Sequence, residues 1–202
     1  MIGNAGIVAV ILAGGRSRRM GGVDKAWLPW RGSSLIETLA EALLAQVDDV
    51  LVVANHLPER YAAIGLRCVA DRRAEYPGPM AGLEAGFYAS DARWVLSVPV
   101  DVPHLPADLL SRLLASAETT GCVRARDVDG VQPLIAVYRR KLALPSLVQA
   151  LDAGERAMHR WQTLWRSMPP PVGYWPRPSS RPSTCPALTT RRWMASPCAP
   201  PI

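Results

Sequence analysis

Apolar positions along this chain switch repeatedly between two spacings. Gly6–Leu12, Val50–Ala54, Leu66–Ala70 and Trp94–Val98 are short, continuous apolar runs. Such runs read as strands buried on both faces of a sheet. Between them the period lengthens. Leu35, Leu39, Ala42, Leu43 and Val47 recur at helical spacing, behind a Ser34-Leu-Ile-Glu37 capping box. A brief helix is expected over Glu59–Ile64. Pro79 is placed to open a helix running through Leu83 and Phe87, and Pro106 one with Leu109, Leu110, Leu113 and Leu114 on its apolar side. Cys122–Ala125 and Pro133–Tyr138 read as strands about an Asp129-Gly130 turn, and Ser146–Gln162 as a last helical region. Strand and helix alternate, which predicts a mostly parallel α/β sheet with ligands at the carboxyl ends of its strands.

The segment that leaves the first strand is the most informative one. Ile11-Leu-Ala-Gly-Gly-Arg-Ser-Arg-Arg-Met-Gly-Gly-Val-Asp-Lys25 combines glycines with four cations, Arg16, Arg18, Arg19 and Lys25. Glycines let the main chain approach a ligand closely. Successive N–H groups in such a bend form a nest for anions. The pattern predicts a triphosphate-binding loop, the alternative being a solvated Gly/Arg-rich surface loop. It is not a P-loop, because Lys25 follows Asp24 and precedes Ala26, and it lacks the dinucleotide G-x-G-x-x-G spacing. Arg19 and Lys25 are the candidate phosphate clamps, one bidentate and one a mobile point charge. Arg18 is read as a solvated charge.

Composition narrows the function further. The 202 residues fit one domain, or one domain with an appendage. Four of the six net positive charges lie in residues 167–202, in Arg177, Arg181, Arg191 and Arg192, without any acid there. The preceding body is nearly balanced, so no nucleic acid is expected as a partner. Cys68, Cys122, Cys185 and Cys198 form no C-x-x-C pair, and zinc spacing is missing. Cys68 and Cys122 fall in predicted strands, as small core residues do. No stretch approaches membrane-spanning length, no leader is evident, and a cytoplasmic location is expected. Residues 167–202 also hold ten of the nineteen prolines. That composition reads as a disordered tail.

Two acids sit at predicted strand ends. Asp101, in Pro99-Val-Asp-Val-Pro103, is either an Mg²⁺ ligand or a helix cap; Mg²⁺ takes few carboxylates and completes its shell with phosphate oxygens. Asp71 follows the third strand and Asn55 the second. A carboxylate or amide oxygen there can select a ligand by accepting from its N–H donors. Asn55 reads equally as a turn residue. No Ser/His/Asp or Cys/His nucleophile arrangement is evident.

The Ile11–Lys25 segment resembles the nucleotidyltransferase signature L-A-[GA]-G-x-S-x-R-M-G. The Gly14-Gly15 pair and the Arg19-Met-Gly-Gly-Val-Asp-Lys25 ending are similar to the MobA-type molybdenum cofactor guanylyltransferases. The resemblance extends from about Gly6 to about Gln162. It implies a three-layer Rossmann-like nucleotidyltransferase fold over residues 1–166. It also implies transfer of GMP from GTP to molybdenum-molybdopterin, with release of pyrophosphate and with Mg²⁺ as cofactor. By the same resemblance Leu12, Ala13, Gly14 and Gly15 meet the nucleotide, together with Lys25, Asn55, Asp71 and Asp101. Asp101 holds the metal, and Arg19, Lys25 and Asp101 are catalytic. Tyr76-Pro-Gly-Pro79 and Gly82 resemble the segment lining the nucleotide pocket, Asp129-Gly-Val-Gln-Pro133 the acceptor side, and Gly154-Glu-Arg156 a late motif. Some members carry Asn where this chain has Val53. Molybdoenzyme chaperones are implied as partners; no membrane is, and a monomer is expected. A CTP-dependent cytidylyltransferase, another nucleotidyltransferase and a non-catalytic GTP-binding protein stay open. The tail departs from the family, which ends in an N-x-N-T-P-like segment. Back-translating Tyr174–Met194 with GC-rich codons and reading one nucleotide earlier gives L-A-A-A-E-L-A-A-V-N-V-P-G-A-D-D-A-A-M. That text resembles the family ending, so 167–202 is expected to be disordered or frame-shifted.

Overall fold

The computed structural model describes residues 6–14, 24–73 and 78–165, with the backbone of 194–197. Its sheet begins with β1 (Ile7–Leu12), flanked on one side by β4 (Asp49–Val53) and β5 (Arg67–Val69) and on the other by β6 (Trp94–Pro99). These four are parallel to one another. Beyond β6 come β8 (Gly130–Arg139), antiparallel to it, then β7 (Cys122–Asp127) and finally β9 (Met194–Pro197). The order β5-β4-β1-β6-β8-β7-β9 therefore has five strands pointing one way and two the other. The chain builds outward from β1 to β5, then returns to add β6 on the opposite side. That reversal opens a crevice at the carboxyl ends of β1 and β6, where ligands bind in open α/β sheets.

β1 shows why the run is continuous rather than alternating. Ala9 and Ile11 join one apolar cluster with Ile36, Leu39 and Leu43 of α1 (Leu35–Leu44) and Leu110 and Leu113 of α4 (Leu109–Thr120). Val8, Val10 and Leu12 join the opposite cluster with Met80, Leu83 and Phe87 of α3 (Pro79–Tyr88). That face is completed by Leu147 of α5 (Arg140–Asp152) and Trp161 of α6 (Met158–Leu164). The result is three layers with a core on each side of the sheet. α2 (Pro58–Ala63) leans on the first cluster through Tyr61.

The expected elements form, with instructive differences. The capping box is present: Ser34 N–H donates to Glu37 Oε2 at 3.0 Å, and the Glu37 N–H returns to Ser34 Oγ at 3.4 Å. Hydrogen bonds from the Ser34 hydroxyl, the Ser33 hydroxyl and the Ser34 N–H hold the Glu37 carboxyl below its ordinary range. The fourth helix begins at Leu109 rather than Pro106, whose carbonyl accepts the Leu109 N–H and Gln46 Nε2 in the turn before it. The last helical region divides in two. α5 starts six residues earlier than its pattern suggested and carries Pro145 inside it. It stops before Gly154, whose positive φ of 86° turns the chain. Glu155 then accepts the Arg156 and Ala157 N–H groups at 2.8 Å and starts α6. A 3-10 turn at Lys25–Trp27 and a small ribbon of β2 (Pro29–Trp30) and β3 (Ser33–Ser34) had no periodic signal. Met194–Pro197, within the atypical tail, lies antiparallel along β7.

Candidate active site

The crevice is built from four strand ends. The β1 ladder runs one residue past the strand on both sides: Val100 N–H donates to Leu12 O at 3.3 Å, and Ala13 N–H to Val53 O at 3.0 Å. Gly14 is thus where the backbone leaves the sheet, exposed to solvent. A Cβ on Gly14 would meet only ordinary contacts, Val53 O at 3.7 Å and Asn55 Nδ2 at 3.8 Å. Packing among the described residues does not demand a glycine there. Gly15, Arg16, Arg18, Arg19 and Tyr76 lie outside the described residues.

Lys25 and Asp101 meet across the mouth of the crevice. Lys25 Nζ stands 3.8 Å from Asp101 Oδ2, with the side chains 46% and 55% exposed. This is a loose, solvated ion pair, worth little to stability. Its members stay available to other charges. Aromatic packing fixes their backbones instead. Asp24 accepts the Ala26 N–H at 3.0 Å and closes the turn that carries Lys25. Trp27 in that turn packs on Tyr61 at 5.2 Å between centroids, under the Arg60 guanidinium at 4.0 Å. Trp30 meets His104, three residues past Asp101, edge-on at 5.3 Å. Sequence reasoning missed this brace; the two tryptophans close behind Lys25 were the available signal.

Asn55 and Asp71 are brought together at the ends of β4 and β5. Asn55 Nδ2 donates to Asp71 Oδ2 at 2.9 Å, and Asp71 N–H donates to Asn55 Oδ1 at 2.8 Å. The amide therefore orients the carboxylate rather than standing apart as a turn residue. Gly82 on α3 backs the pair: a Cβ there would meet Leu12 Cδ2 at 3.2 Å and Asp71 Oδ1 at 3.6 Å. Val53 Cγ1 lies 3.5 Å from the same point, so the apolar Val53 packs beneath the site.

The acceptor-side motifs carry structural duties of their own. Asp127 is buried and accepts the Asp129 N–H at 2.9 Å and Gln132 Nε2 at 3.1 Å, which shapes the turn. Arg156 Nη1 donates to the Leu151 and Glu155 carbonyls at 2.9 Å. Trp161 is core, stacked on Tyr138 at 5.4 Å, and Trp165 packs edge-on against it. His159 is exposed. Buried Gln162, at the end of the predicted region, donates through Nε2 to Pro133 O and Tyr138 Oη. Burial, opposed by hydrogen bonds from Gln162 and Ser97, pushes the Tyr138 phenol up. Cys68 is partly buried, which raises its thiol, and Cys122 is buried in the core. Among the described residues, no three His, Cys, Asp or Glu side chains converge to hold a metal, and no helix is long and apolar enough to cross a membrane.

A family model, the MobA-like NTP transferase domain, matches residues 9–166. This chain belongs to that family. Membership makes it a nucleotidyltransferase, of a family whose members are generally dependent on a divalent metal. It is 40% identical over 166 residues to a molybdenum cofactor guanylyltransferase of Burkholderia ambifaria, covering 77% of this chain and 80% of that one. A protein of the same name from Shewanella halifaxensis is 38% identical over 159 residues, covering 78% and 79%. The fold is also that of a molybdopterin-guanine dinucleotide biosynthesis protein A from Archaeoglobus fulgidus. That crystal structure has a TM-score of 0.59 and 23% identity, over 76% of this chain and 77% of that one. A nucleotidyl transferase from Methanothermobacter thermautotroptrophicus gives 0.61 and 24%, over 81% and 82%.

Proposed function

We propose that this chain transfers GMP from GTP to the terminal phosphate of molybdenum-molybdopterin, releasing pyrophosphate. An acceptor phosphate oxygen attacks the α-phosphorus. The new phosphorus–oxygen bond forms as the bond to the β-phosphate bridge breaks, and pyrophosphate leaves with that electron pair. Both partners are anions, so the barrier is largely electrostatic. Lys25, with Arg19, offsets charge on the triphosphate. The backbone at Leu12, Ala13, Gly14 and Gly15 bears on the nucleotide. Asp71, oriented by Asn55, accepts from the guanine edge. The acceptor's own phosphate is the nucleophile, so no activated side chain is required.

Asp101 suits Mg²⁺. It offers one hard, exposed carboxylate at a strand end, and Mg²⁺ prefers one or two carboxylates plus substrate phosphates and water to an all-protein cage. When bound, the ion would neutralise phosphate charge and orient the α-phosphate. The observation that carries this reading is the approach of Lys25 and Asp101, a cation and a hard anion left solvated at the switch point of the sheet. A cytoplasmic monomer working with molybdoenzyme chaperones is part of the same proposal. Pyrophosphate release from GTP and molybdopterin, followed with Mg²⁺ and with EDTA, tests it. Activity is expected with Mg²⁺ and none with EDTA. An Asp101→Asn variant is expected to fold and to lose roughly a hundredfold or more in turnover. Full turnover in that variant would remove Asp101 from the mechanism, and preference for CTP or UTP in calorimetric titration would move the chain to a sister activity.

A further inference from the structure

Two residues past Asp71, Arg73 is held by three charge-assisted bonds. Its Nε and Nη2 donate to Glu84 Oε2 and Oε1, each at 2.8 Å, a bidentate fork. Its Nη1 donates to Asp152 Oδ1 at 2.7 Å. Glu84 is only 3% exposed, on α3, two residues past the Gly82 that backs Asp71. The two carboxylates hold the guanidinium firmly charged. Neither Arg73 nor Glu84 belongs to a motif singled out in the sequence. An isolated buried carboxylate is expensive, so Glu84 needs this partner. The chain joins Asp71 to Arg73, the fork joins Arg73 to Glu84, and α3 joins Glu84 to Gly82, where a Cβ would stand 3.6 Å from Asp71 Oδ1, so this path runs close behind the carboxylate. Asn55 grips Asp71 from the other side. The third bond ties this path to the C-terminal end of α5.

We infer that Arg73 is a positioning residue for base selection, fixing the Asp71 carboxylate through Glu84 and Asp152 so that it discriminates guanine. The inference rests on the proposed contact between Asp71 and the base. A fork fixes both distance and plane, which a point charge cannot do. The carboxylate is thereby set before the nucleotide arrives, and less ordering remains to oppose binding. The role acts on nucleotide binding and leaves the chemical step untouched, so its signature is a KM effect that depends on the base.

The test compares GTP with inosine triphosphate, which lacks the exocyclic amine, in the full chain. The ratio of their kcat/KM values is measured for the native protein, Asp71→Asn, Arg73→Lys, Asp152→Asn and the double variant Arg73→Met/Glu84→Gln, which removes both charges of the fork together. Asp71→Asn is expected to reduce the GTP preference on the order of tenfold or more, as loss of a charged hydrogen bond implies. The double variant is expected to approach the same loss, mainly through KM for GTP, with kcat little changed. Arg73→Lys and Asp152→Asn should fall between. A purely structural Arg73 would lower activity with both nucleotides equally and leave the ratio alone; that result in a folded double variant overturns the inference. If the double variant does not fold, Arg73→Lys decides: a reduced ratio supports the inference and an unchanged one overturns it. An unchanged ratio in Asp71→Asn itself removes the base contact, and the positioning role with it. A loss in Asp71→Asn with none in the Arg73 variants removes the positioning role alone.

Discussion

Lys25 and Asp101 sit 3.8 Å apart and solvated, each the other's ionic partner. A pair selected for stability would be closer or part of a network, as Arg73, Glu84 and Asp152 are. The two pairings therefore differ in what their loss should do. Lys25→Met should leave thermal stability almost unchanged, because an exposed pair contributes only about 0–1 kcal/mol. Its turnover should fall on the order of a hundredfold. Thermal melts run beside pyrophosphate-release assays check both halves, and a large loss of stability with retained turnover would reverse the assignment. Single-residue chemistry was partly legible in the sequence. Asp71 and Asp101 stood out by residue type at strand ends, and Lys25 as the cation closing the glycine-and-arginine segment. The grip of Asn55 on Asp71 did not, because hydrogen bonds across sixteen residues leave no local pattern. The Arg73 fork was hidden for the same reason, and Glu84 sits where helical spacing shows only a polar interruption.

Elements are set by periodicity and punctuation, and these were readable. Strands with apolar residues on both faces, the capping box and the proline-opened third helix emerge where expected. Where local signals conflicted with tertiary packing, packing prevailed. Pro145 lies inside α5, whose Ala143, Leu147 and Leu151 are buried against the sheet. The Lys25–Trp27 turn has no repeat to reveal it and depends on Trp27 packing against α2. Two consequences belong to this scale. Ser34→Ala should cost about 1 kcal/mol, which lowers Tm by roughly 2–4 °C in a domain of this size. Because the Glu37 carboxyl is held below its ordinary range, its contribution is present at neutral pH and lost as pH falls through that lowered value. The gap in urea midpoint between native and Ser34→Ala proteins should therefore narrow as pH falls through that lowered value. Gly86 provides the second case. A Cβ there would stand 2.7 and 2.8 Å from the two Val10 methyl carbons, so Gly86→Ala should push α3 off β1 and destabilise by about 1–3 kcal/mol, read from chemical denaturation.

For the whole molecule, the arrangement of strands decides where chemistry can occur. The reversal between β1 and β6 brings residues from distant parts of the chain to one crevice, with the Asp71–Asn55 pair on one flank and Lys25–Asp101 on the other. The family match ends at residue 166, and the tail beyond it departs in composition from the preceding body. We propose that residues 1–166 form the nucleotidyltransferase domain and that the tail is read out of frame. A chain expressed with the reframed ending should turn over faster than the chain as written, at equal GTP affinity; equal turnover would dismiss the frame shift. The most direct measurement for the account is a crystal structure with GTP and Mg²⁺ bound. It should place the triphosphate on the glycine-and-arginine bend that follows β1, the metal on Asp101 and the guanine edge on Asp71. A nucleotide bound elsewhere, with Asp101 remote from its phosphates, would contradict it.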